Sequence, residues 1–226
     1  MRLFTAIDLP EEVRDNLRSL LARLKPLARI NWSPAANLHV TTKFIGEWPE
    51  ARLDEMKRAL AAIPRCGAFD ISIRGLGWFP NDRRPRVLWA GVEAGEQLAT
   101  LVRATEQAVA ELGVPAEDRS YSPHLTLARI RETVPLDALR SALAKATADF
   151  GSFRATDFFL YLSAGGKYTR LAAFPLYEKG DGLRVVCRRD PQSGVRSGLC
   201  PRPQISDSPQ EPGSGQSCLS PSSTSP

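Results

Sequence analysis

Apolar residues change their spacing repeatedly along this chain, from the alternation of a strand to the three-and-four spacing of a helix and back. Arg2 to Ile7 reads as a strand, and Pro10 to Lys25 as a helix, with Val13, Leu17, Leu20, Leu21 and Leu24 on one face. Pro10, Glu11 and Glu12 suit its first turn, where proline loses no hydrogen bond and acidic groups meet the positive end of the helix dipole. Asn37 to Ile45 reads as a strand. Pro49 to Ile63 reads as a helix with Leu53, Met56, Leu60 and Ile63 in a stripe. Two strands, Phe69 to Trp78 and Arg86 to Val92, flank the turn-rich PNDRRP and predict a hairpin. Glu96 to Leu112 returns to helical spacing through Leu98, Leu101, Val102, Thr105, Val109 and Leu112. Pro123 to Ile130 follows as a strand and Leu136 to Ala148 as a helix. Phe153 to Ser163 and Tyr168 to Leu176 read as strands around Gly165-Gly166.

Hairpins among helices predict an α+β fold and fit poorly with a uniform βαβ parallel sheet. Each half offers a helix, a strand with a His-x-Thr triplet and another helix. The expectation is therefore a bilobal, internally duplicated architecture, with two antiparallel-rich sheets flanking a central cleft and helices on the outside. Residues 1–180 are read as this domain. From 181 to 226 the chain becomes basic and then rich in Ser, Pro and Gly, ending in SPSSTSP. Such a composition buries too little apolar surface to offset chain entropy, so a disordered tail is expected.

Composition excludes more than it selects. The chain has 226 residues, 42% of them hydrophobic, enough for a well-formed core. Charge interrupts every apolar run before the roughly 18 residues of a membrane span, and MRLFTAIDLP lacks a signal peptide's apolar segment. The four cysteines form no CxxC pair. A cytoplasmic monomer with no membrane association is expected. Thirty Lys+Arg against 25 Asp+Glu give +5, a mild bias toward anionic ligands.

The chain has only two histidines, and both stand in the same local pattern: His39-Val40-Thr41 in NLHVTTKFIG and His124-Leu125-Thr126 in SPHLTLAR. Residues i and i+2 of a strand share a face, so each histidine points the same way as its threonine. Two imidazoles across one phosphodiester make a complete acid-base pair, one taking a proton from the nucleophile and the other giving one to the departing oxygen. The Thr41 and Thr126 hydroxyls suit the non-bridging phosphate oxygens, which gain charge as phosphorus becomes five-coordinate. No HExxH motif or clustered carboxylate accompanies the histidines, and two histidines underfill a catalytic zinc site, so no metal or other cofactor is expected.

Neighbouring residues are less determined. Strict alternation places Arg129 on the face opposite His124, so a bend is needed to bring it to the phosphate. Lys43 shares a face with His39 under the same rule and is expected near the phosphate. Trp32 and Tyr121, which precede the two motifs, either flank a base or fill rim and core positions. Arg83, Arg84 and Arg86 either follow an RNA backbone or are solvated loop charge. Ser122 and Ser163 lack the histidine-acid partners of a nucleophile.

The paired triplets, the opening FTAIDLP, the RVLWAGV strand and the closing YLSAGGKYTRLAAFPL resemble the two-histidine phosphoesterase superfamily, in its RNA 2′,3′-cyclic phosphodiesterase (2′-5′ RNA ligase) branch. The resemblance covers residues 1–178. It implies metal-independent opening of a 2′,3′-cyclic phosphate to a 2′-phosphomonoester, with RNA ends or nucleoside 2′,3′-cyclic phosphates as partners, and in some members 2′-5′ joining of RNA. It also implies His39 as proton donor to the leaving 3′ oxygen, His124 as the base that activates water, Phe44 on the base-binding side (a core position is the alternative) and Arg129 on the phosphate side. The rival readings are a phosphodiesterase for another small cyclic nucleotide and a non-catalytic RNA-end-binding module.

Overall fold

The computed structural model describes residues 1–176; the expected tail and the last residues of the expected domain lie outside them. In chain order the elements are β1 (Arg2–Asp8), α1 (Glu11–Leu24), β2 (Asn31–Trp32), β3 (His39–Glu47), α2 (Leu53–Ala61), β4 (Phe69–Phe79), β5 (Val87–Ala94), α3 (Glu96–Ala110), β6 (His124–Arg129), α4 (Asp137–Ala144), β7 (Asp149–Ala155), β8 (Asp157–Ala164) and β9 (Lys167–Pro175). They build the α+β fold read from the sequence. One sheet has the order β3-β1-β8-β9 and the other β2-β6-β5-β4-β7. Their strand pairs run antiparallel.

Helix α1 shows how local pattern becomes packing. Pro10 is its extended N-cap, Glu11 and Glu12 occupy the first turn, and Val13, Leu17, Leu20, Leu21 and Leu24 are buried. Burying each such side chain stabilises the fold by roughly 1.5–3 kcal/mol before entropy is counted. The helices cross between halves. α1 lies against β7 of the second sheet, where the Asn16 side chain donates to the Phe150 carbonyl at 3.1 Å. α3, from the second half, covers β3 of the first sheet.

Two expectations need correction in the last third. The helix expected to reach Ala148 ends at Ala144, and the single strand expected over Phe153 to Ser163 is two. β7 pairs with β4, whereas β8 pairs with β1, so the chain changes sheets at Thr156. The Thr156 carbonyl accepts the Leu176 N–H at 2.8 Å, and its hydroxyl donates to Asp157 at 2.8 Å, which anchors the switch without glycine or proline. The short strand β2 is also absent from the sequence reading. No helix among the described residues is long and apolar enough to cross a membrane.

Candidate active site

Both His-x-Thr triplets open a strand, and both strands contain an extra residue at the same place. In β3, Thr41 pairs with Ala6 and Lys43 with Thr5, leaving Thr42 as a bulge. In β6, Thr126 pairs with Trp89 and Ala128 with Leu88, leaving Leu127 as a bulge. A bulge inserts one residue and shifts the alternation beyond it. His39, Thr41 and Phe44 therefore share a face with Phe4, Ala6 and Asp8, while His124, Thr126 and Arg129 share one with Gly91, Trp89 and Val87. The six positions show the same burial sequence in both strands, with the histidine and its threonine half-buried, the next two residues after the threonine buried, and the sixth exposed. This correspondence is the structural form of the duplication. It also replaces the strand-end bend required for Arg129, because the bulge already turns that residue to the histidine face.

The same bulge removes Lys43 from the site, which corrects the expectation for that residue. Lys43 is 3% exposed, and its ammonium donates to Glu106 at 2.8 Å and to the Pro115 carbonyl at 3.1 Å. Thr42 also turns inward, where its hydroxyl meets that of Thr5 at 2.7 Å. Trp32 is not brought to the site either. It pairs with Ala128 on the core face of β6, packs against the core, and donates its indole N–H to the Ala28 carbonyl at 3.1 Å.

The two imidazoles are held alike. His39 Nδ1 bonds to the Asn37 carbonyl and His124 Nδ1 to the Ser122 carbonyl, each at 2.7 Å. A carbonyl only accepts, so Nδ1 carries the proton in both rings and Nε2 is left for proton exchange. Strands β3 and β6, which belong to different sheets, approach within 8 Å between Cα atoms. The Arg129 guanidinium is close enough to act electrostatically on His39, so a residue of the second motif strand is felt by the histidine of the first.

Their surroundings differ. Phe4 stacks on His39 at 4.8 Å between centroids, Tyr161 stacks against Phe4 at 5.3 Å and lies 6.4 Å from His39, and Tyr168 meets His39 edge-on at 5.3 Å. Burial in this layer pushes the His39 pKa below the usual histidine value. The Asn37 carbonyl and the Asp8 charge oppose that shift, and Arg129 adds to it. Asp8 pairs with His39 across the ladder, accepts the Tyr161 hydroxyl at 2.6 Å and forms an ion pair with Arg170. On the other side, Phe79 meets His124 edge-on at 5.0 Å and packs against Trp89 at 5.2 Å. The sequence reading missed Phe4, Asp8, Tyr161, Tyr168 and Phe79. Alternation along β1 was the available signal for the first two, because Phe4 and Asp8 share a face.

Phe44 is 55% exposed and approaches Phe4 at 6.3 Å, so the core alternative does not hold for it. Tyr121 is 38% exposed, and its hydroxyl donates to the Thr41 carbonyl at 2.9 Å. Arg83 and Arg84 lie in an exposed turn that Asn81 organises through their backbone N–H groups. Two concavities, of about 330 and 350 Å³, are lined by other residues, and neither by a histidine. Among the described residues, no three His, Cys, Asp or Glu side chains gather to hold a metal ion.

The LigT-like phosphoesterase family model matches residues 7–89 and 91–167. An RNA 2′,3′-cyclic phosphodiesterase of Methanothermobacter thermautotrophicus is 34% identical over 183 residues, spanning 78% of this chain and 99% of the relative. One from Thermus thermophilus is 37% identical over 142 residues, 60% of this chain and 71% of the relative. Among solved structures, TT0787 of Thermus thermophilus superposes with a TM-score of 0.64 at 32% identity, covering 78% of this chain and 98% of that one. Escherichia coli LigT complexed with 3′-AMP gives 0.63 at 27% identity, with the same coverage. With the matched segments running through both His-x-Thr strands, this chain belongs to the LigT-like phosphoesterase family.

Proposed function

We propose that the protein hydrolyses RNA 2′,3′-cyclic phosphate ends to 2′-phosphomonoesters, without a metal ion, by paired histidine acid-base catalysis. The observation that carries this reading is the equivalent placement of His39 and His124 on neighbouring strands, each with Nδ1 tied to a carbonyl and a threonine two residues on. The relatives' activity on RNA 2′,3′-cyclic phosphates supports the choice of substrate.

In the reaction, neutral His124 takes a proton from water through Nε2 as the water oxygen attacks phosphorus. Protonated His39 gives its Nε2 proton to the departing 3′ oxygen, leaving the phosphate on the 2′ oxygen. Thr41, Thr126 and Arg129 meet the non-bridging oxygens, whose charge grows in the transition state. Burial makes His39 a stronger acid once protonated, and an anionic substrate beside it favours that protonation. Phe44 and Tyr168, exposed on the His39 side, supply aromatic surface for a base. 2′-5′ joining of RNA is the same displacement at that phosphorus, with an RNA 5′-hydroxyl attacking in place of water and the 3′ oxygen again departing.

The test is to incubate an oligonucleotide ending in a 2′,3′-cyclic phosphate with the protein in excess chelator and identify which hydroxyl keeps the phosphate. A 2′-phosphate is expected. A 3′-phosphate overturns the proposed leaving group, and a strict requirement for a divalent ion overturns the metal-independent mechanism. Turnover confined to a different small cyclic nucleotide, or binding without turnover, returns the reading to one of its rivals.

A further inference from the structure

The two motif strands share an exposed-edge problem. β3 is the outer strand of its sheet, and β6 has only the two-residue β2 beyond it. Each also carries its bulge directly after the motif threonine. A bulge is an inserted residue whose position along the strand is set by local bonding. Moving it one place back would turn Thr41 or Thr126 away from the histidine face.

Both strands are gripped at that point, and the grips cross between the halves. The Tyr121 hydroxyl, from the segment leading into the second motif, donates to the carbonyl of Thr41 in the first at 2.9 Å. The Ser33 hydroxyl, from the segment leading into the first motif, donates to the carbonyl of Thr126 in the second at 2.7 Å. Ser33 also donates its backbone N–H to the Leu127 carbonyl at 2.9 Å, so it holds two successive carbonyls at the bulge. We propose that Tyr121 and Ser33 form a crossed clasp that fixes the two bulges, and that they are positioning residues setting His39 and His124 against a single phosphate.

The chemistry suits a permanent clasp. A hydroxyl bonding to a carbonyl must donate, and burial of its polar end holds the Tyr121 phenol above its usual pKa, so it stays protonated wherever the enzyme works. Neither hydroxyl needs to touch substrate, because each acts through the strand it holds. A displacement of about 1 Å at a reacting group can cost on the order of 100-fold in rate. A clasp that limits such displacement affects kcat more than KM.

This proposal rests on the cyclic phosphodiesterase reading for its kinetic readout, so the test adds one that does not. The chain has only two histidines, and ¹⁵N-histidine labelling gives NMR signals from two imidazoles alone. Tyr121→Phe should shift the His39 ring signals and leave those of His124 nearly unmoved; Ser33→Ala should do the reverse. Each should lower kcat by about tenfold and change KM by less than about threefold, with Ser33→Thr, which restores a hydroxyl, returning kcat to within about twofold of the parent. Unmoved ring signals in both variants, or a kcat loss that Ser33→Thr does not recover, overturn the clasp even if cyclic phosphate turnover is normal. Ring signals that move as stated in a protein without cyclic phosphate turnover support the clasp and remove the activity it was thought to serve.

Discussion

The ion pair beneath the first motif separates a structural role for Lys43 from a catalytic one. Lys43 has a side chain only 2% exposed, and its ammonium contacts Glu106 and the Pro115 carbonyl. Glu106 is 27% exposed and also accepts the Glu117 backbone N–H at 3.0 Å. Removing the two members therefore has unequal effects. Lys43→Met keeps most of the apolar stem and leaves Glu106 with another donor and partial access to water, which should cost about 1–2 kcal/mol. Glu106→Ala leaves a buried ammonium with one carbonyl, and breaking a buried pair in that way typically costs about 3–5 kcal/mol. For a domain of this size, each kcal/mol lowers Tm by roughly 2–4 °C. Urea unfolding of both variants, with turnover measured well below either transition, provides the assay. The expected result is a larger loss of stability for Glu106→Ala and a kcat within about threefold of the parent for both. A kcat loss of two orders of magnitude in folded Lys43→Met, or a smaller destabilisation from Glu106→Ala than from Lys43→Met, would refute this reasoning.

Two further outcomes follow from the surroundings of the histidines. Asp8 raises the His39 pKa, so Asp8→Asn should lower it, and the loss of kcat/KM at high pH, where His39 gives up its proton, should begin at lower pH; movement of that limb upward contradicts the field assigned to Asp8. Gly91 pairs with His124, and a Cβ added there would lie 2.3 Å from the Arg74 carbonyl oxygen, so Gly91→Ala must displace backbone beside the histidine. Its expected cost is about 1–3 kcal/mol with reduced kcat, and a variant of unchanged stability and turnover contradicts that packing.

The His-x-Thr pairs were legible because alternation needs only two residues to hold. Beyond the threonine the same rule failed, since Thr42 and Leu127 carry no mark of being unpaired; only the ladders with β1 and β5 show it. That one inserted residue explains why strict alternation puts Lys43 on the histidine face and demands a bend to bring Arg129 to the phosphate. Proximity in sequence left Trp32 open between flanking a base and a core position, and the core position holds because β2 joins β6 and turns the indole inward. The switch at Thr156 lacks the glycine or proline that marked other turns, so β7 and β8 read as one strand. The aromatic layer around His39 draws on β1, β8 and β9, which are distant along the chain and become neighbours only through strand pairing.

The most direct test of the account is the turnover of a 2′,3′-cyclic phosphate-terminated oligonucleotide by His39→Ala and His124→Ala, each checked for an intact fold. General acid-base catalysis contributes about 100- to 10,000-fold per group, so each variant should lose at least about 100-fold in kcat. Turnover within tenfold of the parent in either folded variant would contradict the claim that both imidazoles act on one phosphorus.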